Sequence, residues 1–573
     1  MTSHDTGAAR ETVRAIAADP TAEVVIIGGG INGIATFRDL AFQGVKVVLV
    51  ERDDFVAGAS SASSHMIHGG IRYLENGEFR LVRESVVERN ALLKTAPHYV
   101  RPLATTVPIY STFSGIAAAP LRFLTHKQGK RTERGALLIK AGLTIYDFFS
   151  RDGGAVPRHR FHGSKRSAQE LPALDRKVKW TATYYDASMH DPERLALDVL
   201  HDALATGPHA RAANYLPAVG MGPDGVRVRD AVTGEEFDIA ADVVVNTSGP
   251  WTDLTNDALG DPTRFMGGTK GSHIVLDHPE LLDATAGREI FFEHKDGRIV
   301  LIYPLKGRVM VGTTDLEHDM REPAVCTEEE VDYFFDLIAH VFPDIAVDRS
   351  QIVYRFSGVR PLPRHDDTQP GFVSRDYRIE RATAKGRPGT TVLSLVGGKW
   401  TTFRALGEQL ADDVLGLLGR SRVRSTAGVA IGGAKGYPRT QRARDAWVHG
   451  HADGTDVARV DRLLERYGTR AADLIASLPA DDAPLVSLPE YSVGEIAHLA
   501  ASEYVVHLDD LLLRRTSIAF VGSASEDALR EIADVAGDVL GWDTARRSDE
   551  VAATMRLLRE RHGVALSAER VGA

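Results

Sequence analysis

Residues 23–33 read Glu-Val-Val-Ile-Ile-Gly-Gly-Gly-Ile-Asn-Gly. Four consecutive β-branched residues, Val24 to Ile27, suit a strand buried on both faces of a parallel sheet. Gly28, Gly30 and Gly33 follow at the spacing Gly-x-Gly-x-x-Gly, and residues 34–43 have helical character. Gly44 closes that helix, and residues 45–51 predict the next strand, which ends in Glu51. This is one β-α-β unit of about thirty residues, the context a dinucleotide-binding glycine motif requires. The first glycine makes the turn, the second lets the backbone approach a pyrophosphate, and the third lets helix and strand pack closely. The pyrophosphate then faces the positive end of the helix. Glu51, eighteen residues past Gly33, can accept hydrogen bonds from both ribose hydroxyls and would repel a 2′-phosphate. FAD or NAD is therefore expected, not NADP.

Composition bounds the rest. The chain has 573 residues, 68 basic and 78 acidic side chains, a net charge of -10 and one cysteine, Cys326. A hydrophobic fraction of 43% supports a sizeable core. A single cysteine forms no intramolecular disulfide and no thiolate zinc site, so no metal is expected. The acidic balance argues against nucleic acid as a partner. No uninterrupted apolar run of membrane-spanning length occurs, and residues 1–20 lack the pattern of a secretory signal. A cytoplasmic enzyme is expected.

Further strands are predicted at 241–246 and 391–396, with antiparallel pairs at 298–303 and 308–312. Past residue 430 the pattern turns helical, at 457–467, 492–503, 508–516 and 526–541. The expected organisation is a flexible tail at 1–20 and an FAD-binding α/β domain at 21–430. A β-sheet substrate cap is interleaved at roughly 90–190 and 260–360, and an all-α domain follows at 431–573.

The segment after Glu51 favours FAD over NAD. Ser60-Ser-Ala-Ser-Ser-His-Met-Ile-His-Gly-Gly-Ile-Arg-Tyr73 is rich in hydroxyls, glycines and histidines, as a loop wrapping a flavin would be. Gly397-Gly-Lys-Trp-Thr-Thr402 follows a strand and opens a helix, with threonines as cap candidates. A helix N-terminus aimed at the flavin would stabilise its anionic reduced form.

These two motifs, the glycine motif, Asn246-Thr-Ser-Gly-Pro-Trp251, Lys270-Gly-Ser-His-Ile274, Gly312-Thr-Thr-Asp315 and Ser357-Gly-Val-Arg-Pro-Leu362 occur in a fixed order. With the later Arg514-Arg515-Thr516, the set resembles the FAD-dependent, quinone-linked aerobic glycerol-3-phosphate dehydrogenases, from about residue 21 to about residue 540. The resemblance implies a glutathione-reductase-like or amine-oxidase-like FAD fold with an interleaved cap and a C-terminal helical domain. It implies oxidation of sn-glycerol 3-phosphate to dihydroxyacetone phosphate, with hydride passing from C2 to flavin N5 and electrons to a membrane quinone.

Cofactor contacts then fall to Gly28, Gly30, Asn32, Gly33, Glu51, Arg52, Ser60, Ser63, Ser64, His65, Gly69, Ser248, Gly249, Gly398, Lys399, Thr401 and Thr402. His65 stands where bacterial relatives often carry lysine, and Trp400 where an aliphatic is common. Arg360 is the first candidate for the substrate phosphate, because its planar fork matches phosphate oxygens. Arg72 and Tyr73 can cap the same site, and Lys399 can serve flavin or substrate. The alcohol proton needs a base that titrates near neutrality, and His273 is the first choice with His68 the alternative.

Residues 135–149 are mostly apolar with basic residues just upstream (Arg122, Lys127, Lys130 and Arg131), so they read as either a buried helix or an interfacial one on the inner membrane face. A homodimer stays open as well. Rival readings are a glycerol-3-phosphate oxidase that produces hydrogen peroxide, another FAD-dependent amine or hydroxy-acid oxidase, and a non-enzymatic flavin module. The cluster of cations disfavours the last two.

Overall fold

The computed structural model describes residues 8–70, 78–112, 136–150, 156–364, 376–452 and 454–566. Val24–Ile27 forms the centre of a six-stranded sheet. Val47–Val50 pairs with it in parallel on one side and Val243–Asn246 on the other. Ala210–Ala213 extends the first side, and Thr391–Val396 the second, both in parallel. Arg378–Thr383 adds an antiparallel edge. The four central strand residues are fully or almost fully buried, because helices cover both faces of a parallel sheet. Ile31–Phe42 packs between Phe403–Leu417 and Pro192–Leu204.

A second, larger sheet is inserted between these strands. Its spine runs Leu316–Glu317, Met266–Leu276, Arg308–Gly312, Ile299–Leu305, Glu289–Glu293, Val100–Ile109, Trp180–Met189 and Met66–Ile67. Ile352–Pro363 pairs with Met266–Leu276 along almost its whole length. Alternation of side chains gives this sheet two apolar faces. Ile274, Leu276, Ile302, Val309 and Val311 pack with Phe334, Ile338 and Val341 of helix Glu328–Val341. Val275, Tyr303, Met310, Tyr354 and Phe356 belong to a core shared with the C-terminal helices.

Those helices include Val457–Tyr467, Val493–Ser502, Glu526–Leu540 and Thr544–His562. Their N-caps are Asp456, Ser492, Ser525 and Asp543, each accepting a backbone N–H in the first turn.

The N-terminus departs from the sequence reading. Residues 1–20 read as a flexible tail, yet Ala8–Ala18 is a helix. Val13 and Ile16 are buried in a core with Val25, Val48 and Val226, and Arg10 pairs with Asp230. Two apolar residues three apart were enough to dock one helical face, a signal too short to stand out in an Ala-rich segment.

Candidate active site

The glycine motif is built as its spacing demands. A methyl group at position 33 would collide with the carbonyl oxygen of Gly28 and lie 2.6 Å from Thr247 Oγ1. Gly30 is the N-cap of Ile31–Phe42 and offers no side chain to satisfy the helix end. Ser60 Oγ accepts from Ile31 N at 3.0 Å. Trp400 Nε1 holds the same serine by donating to its carbonyl at 2.9 Å. Glu51 accepts from Gly29 N at 2.6 Å and from Asp53 N at 2.9 Å. Burial raises its pKa above the usual carboxylate range.

The second glycine turn meets the first. Gly398 has φ +113, and a side chain there would strike Asn32 Nδ2. Asn32 Oδ1 is buried without a hydrogen-bond partner among the described residues. Thr402, the N-cap of Phe403–Leu417, likewise keeps a buried Oγ1 with no partner among them and makes no cap bond, contrary to the capping role expected of it. Thr401 Oγ1 instead donates to the His68 carbonyl at 3.3 Å. Two helix N-termini with no acidic residue in their first turns thus converge on orphaned polar atoms. A bound FAD, with its pyrophosphate and polar ring edge, fits that deficit.

Other expected cofactor residues make the following contacts within the chain. Ser63 Oγ accepts from His65 N, and Ser248 Oγ donates to Asn246 Oδ1 at 2.6 Å. Gly249 has φ +61 at the start of the Gly249–Trp251 turn. Arg52 lies over the Trp251 ring and pairs with Asp53. His65 is buried against Phe356 and Phe520, with Nδ1 3.2 Å from the Met189 carbonyl. Gly69 N donates to Asp186 Oδ1 at 2.9 Å, and Asp186 is held by Arg89 and Tyr146. Asp253 does not cap its helix but receives Thr263 Oγ1, Phe265 N and Met266 N, fixing the chain where it enters the cap.

On the cap sheet, Thr269, Gly271 and His273 share one face, paired with Arg360, Gly358 and Phe356. His273 stacks on Phe356 with centroids 4.7 Å apart and rings 9° from parallel. Its Nε2 lies 2.9 Å from Ser64 Oγ, and its Nδ1 is buried with no partner among the described residues. Burial, then the charge of Arg360, pushes its pKa down to about 3. Arg360 bonds Asp315 Oδ1 at 2.6 Å, Thr313 Oγ1 at 3.1 Å and the Thr314 carbonyl at 2.9 Å. Its Nη2 occupies the space above Gly271, where a Cβ would fall 2.5 Å away. His273, Arg360, Thr313 and Asp315 are therefore brought together. Lys399 Nζ is shielded from solvent, and its charge bears on Glu84. Arg72 and Tyr73 lie outside the described residues.

One organising residue escaped the sequence reading. Glu330 is buried on the opposite face of the same strands. It accepts from Lys270 Nζ at 2.8 Å, Ser272 Oγ at 2.8 Å and Thr314 Oγ1 at 2.6 Å. Ser272 Oγ also lies 2.6 Å from Ser357 Oγ. One carboxylate thus ties together the three motifs that carry His273, Asp315 and Arg360. Burial alone would raise its pKa, but these donors bring it below the usual range. Thr327-Glu-Glu-Glu330 reads in sequence as a helix start, which it also is, as a capping box.

This fold and site define an FAD-dependent oxidoreductase, and residues 23–412 match the family model described as FAD dependent oxidoreductase. Residues 424–547 match the C-terminal domain of alpha-glycerophosphate oxidase. The chain is 34% identical to a glycerol-3-phosphate dehydrogenase of Synechocystis sp., over 91% of this chain and 93% of that one. It is 32% identical to glycerol-3-phosphate dehydrogenase 2 of Mycobacterium tuberculosis, over 92% and 87%. A glycerol-3-phosphate dehydrogenase from Bacillus halodurans, solved with FAD, shares the fold at a TM-score of 0.73 and 21% identity, over 96% and 97% of the two chains. The protein belongs to the FAD-dependent glycerol-3-phosphate dehydrogenase family, and its cofactor is FAD.

Proposed function

We propose that this protein oxidises the C2 alcohol of sn-glycerol 3-phosphate to dihydroxyacetone phosphate and delivers the electrons to a membrane quinone. The observation that carries the reading is the shared face of Gly271, His273 and Arg360. A cation able to hold phosphate stands beside a neutral imidazole able to take a proton.

Arg360 binds the phosphate, exchanging its Asp315 partner for phosphate oxygens. Thr313 and the Thr314 carbonyl keep the guanidinium aimed while this happens. FAD, held by the glycine motif and the Gly398–Thr402 turn, would supply the acceptor for the C2 hydride. His273 accepts the hydroxyl proton. Its depressed pKa keeps it unprotonated at neutral pH. A phosphate dianion on Arg360 offsets the charge that disfavours imidazolium, so substrate binding raises the basicity of the ring. Ser64 fixes the ring through Nε2. His68 remains the second candidate base, and Arg72 and Tyr73 are proposed as further substrate contacts.

Quinone delivery draws support from helix Ala136–Ser150. It buries Leu143 and Tyr146 and exposes half of Leu137 and Ile145, which suits a membrane surface. Among the described residues no helix is long and apolar enough to cross a membrane. Oxygen as acceptor is the second reading, favoured by the oxidase description of the C-terminal match.

Anaerobic bleaching of the flavin by glycerol 3-phosphate, glycerol and glycine tests the substrate. Only the phosphate should bleach it at micromolar to millimolar concentration, and bleaching by glycine alone refutes the assignment. Peroxide yield against reduction of a ubiquinone or menaquinone analogue then separates the two acceptors.

A further inference from the structure

The C-terminal helices carry an arginine pair that the reaction does not use. Arg514 and Arg515 close the π-helical turn Leu511–Arg515 and are both buried. They converge on Asp54, which is also buried. Arg515 Nη2 donates to Asp54 Oδ1 at 2.8 Å, and Arg515 Nη1 and Arg514 Nε both donate to Oδ2. Asn214 Nδ2 donates to Oδ1 at 2.9 Å. Arg514 Nη2 bonds Asp510 at 2.6 Å, and Tyr215 Oη bonds the same carboxylate oxygen at 2.7 Å. Arg515 also donates twice to the Glu503 carbonyl.

Asp54 lies three residues past Glu51, in a turn that rests on the glycine motif. Val56 N donates to the Gly29 carbonyl at 3.0 Å. Phe55 is so close that a Cβ on Gly29 would fall 2.7 Å from its ring. Glu51 itself bridges Gly29 N and Asp53 N. The turn that carries the ribose-binding carboxylate therefore has the glycine motif on one side and the C-terminal arginines on the other.

We propose that the C-terminal helical domain completes the FAD site from its adenosine side. Arg514 and Arg515 are positioning residues that hold Asp54, and through the 51–56 turn they set the Glu51 carboxylate. Docking of this domain and binding of FAD then stabilise each other, since coupling between two sites is reciprocal. The proposal rests on FAD as cofactor and not on the substrate or the electron acceptor, so it survives if either of those readings fails.

The test uses full-length apoprotein. Arg515→Lys keeps the charge but loses the fork that spans both Asp54 oxygens. FAD titration followed by flavin fluorescence should give a Kd raised about tenfold or more, within the usual range of coupling between sites. In the wild type, FAD should slow hydrogen exchange of residues 508–516, and in Arg515→Lys that protection should shrink. A purely structural role would change exchange in both states alike. Equal exchange of 508–516 in wild-type protein with and without FAD overturns the proposal, and so does an unchanged Kd in a folded Arg515→Lys protein. The wild-type measurement needs no variant to fold.

Discussion

Ser64 Oγ and His273 Nε2 stand 2.9 Å apart and join the 60–70 loop to the cap sheet. Nδ1 is buried and has no partner among the described residues, so with the ring proton on Nε2 and donated to Ser64, Nδ1 is the nitrogen that would accept the substrate proton. Replacing His273 with Asn should slow anaerobic flavin reduction by about 10²–10⁴-fold, the usual contribution of a general base. Ser64→Ala should slow it less. Stopped-flow bleaching from pH 6 to 9 reads both, and a His273→Asn rate equal to wild type across that range would remove His273 from the base role.

Arg360 and Asp315 make a second prediction. Asp315 Oδ1 accepts from Arg360, so under the proposed phosphate role of Arg360 the carboxylate would compete with substrate for the same guanidinium. Asp315→Asn should lower KM for glycerol 3-phosphate severalfold, whereas Arg360→Lys should lower kcat/KM by about 100-fold, or about 3 kcal/mol, for loss of the planar fork. Steady-state kinetics with a fixed quinone analogue distinguishes them. A rise in KM in Asp315→Asn would show that the carboxylate aims Arg360 and does not compete for it.

The Glu330 network predicts strong non-additivity. Glu330→Gln strands a buried Lys270 charge, which should cost about 3–5 kcal/mol. Glu330→Gln combined with Lys270→Met should cost less than the sum of the single changes. Urea melts of the four proteins check this. Simple additivity would mean that the ammonium finds solvent instead.

Acidity should act through buried groups in opposite directions. Burial, then the charges of Arg360 and His65, lowers the pKa of His273 to about 3, against about 6.5 unfolded. The unfolded chain then binds more protons in that window, so stability present above pH 6.5 falls as pH drops toward 3. Burial raises Glu289 to about 8, and there the folded chain binds the extra proton, so stability present at low pH is lost as pH rises toward 8. Melting temperatures of wild type minus His273→Asn should fall below pH 6.5. Those of wild type minus Glu289→Gln should fall as pH rises from about 4.3, the unfolded value, to about 8. Flat differences would mean that these groups ionise normally.

The glycine motif and Glu51 were legible because a strand, a turn and a helix follow one another within thirty residues. The strand at Thr391–Val396, the helix at Val457–Tyr467 and the pair around Lys306 were legible for the same local reason. Glu330 was not, since its partners Lys270, Ser272 and Thr314 meet it only through strand register and helix packing. The packing of His65 was not legible either, since its ring meets Phe356 edge-on and Phe520 at a tilt only through tertiary contact. The family resemblance supplied the substrate; the glycine spacing gave a dinucleotide, and the segments at 60–73 and 397–402 favoured FAD over NAD. Arg122, Lys127, Lys130 and Arg131, the basic residues upstream of helix Ala136–Ser150, lie outside the described residues.

The pairing of Val243–Asn246 with Thr391–Val396 has a consequence for biosynthesis. A ribosome releases the first two nucleotide-sheet strands by residue 50 and the third and fourth by residue 246, but the fifth and sixth are complete only at 396. The whole second half of the cap is made in that interval. That half of the cap can therefore collapse as a local unit, while the nucleotide sheet closes only by long-range pairing late in synthesis. No contiguous fragment of the chain contains the nucleotide sheet without the cap. A cap exchanged between relatives is a tractable graft, but a minimal flavin domain cut from this sequence is not.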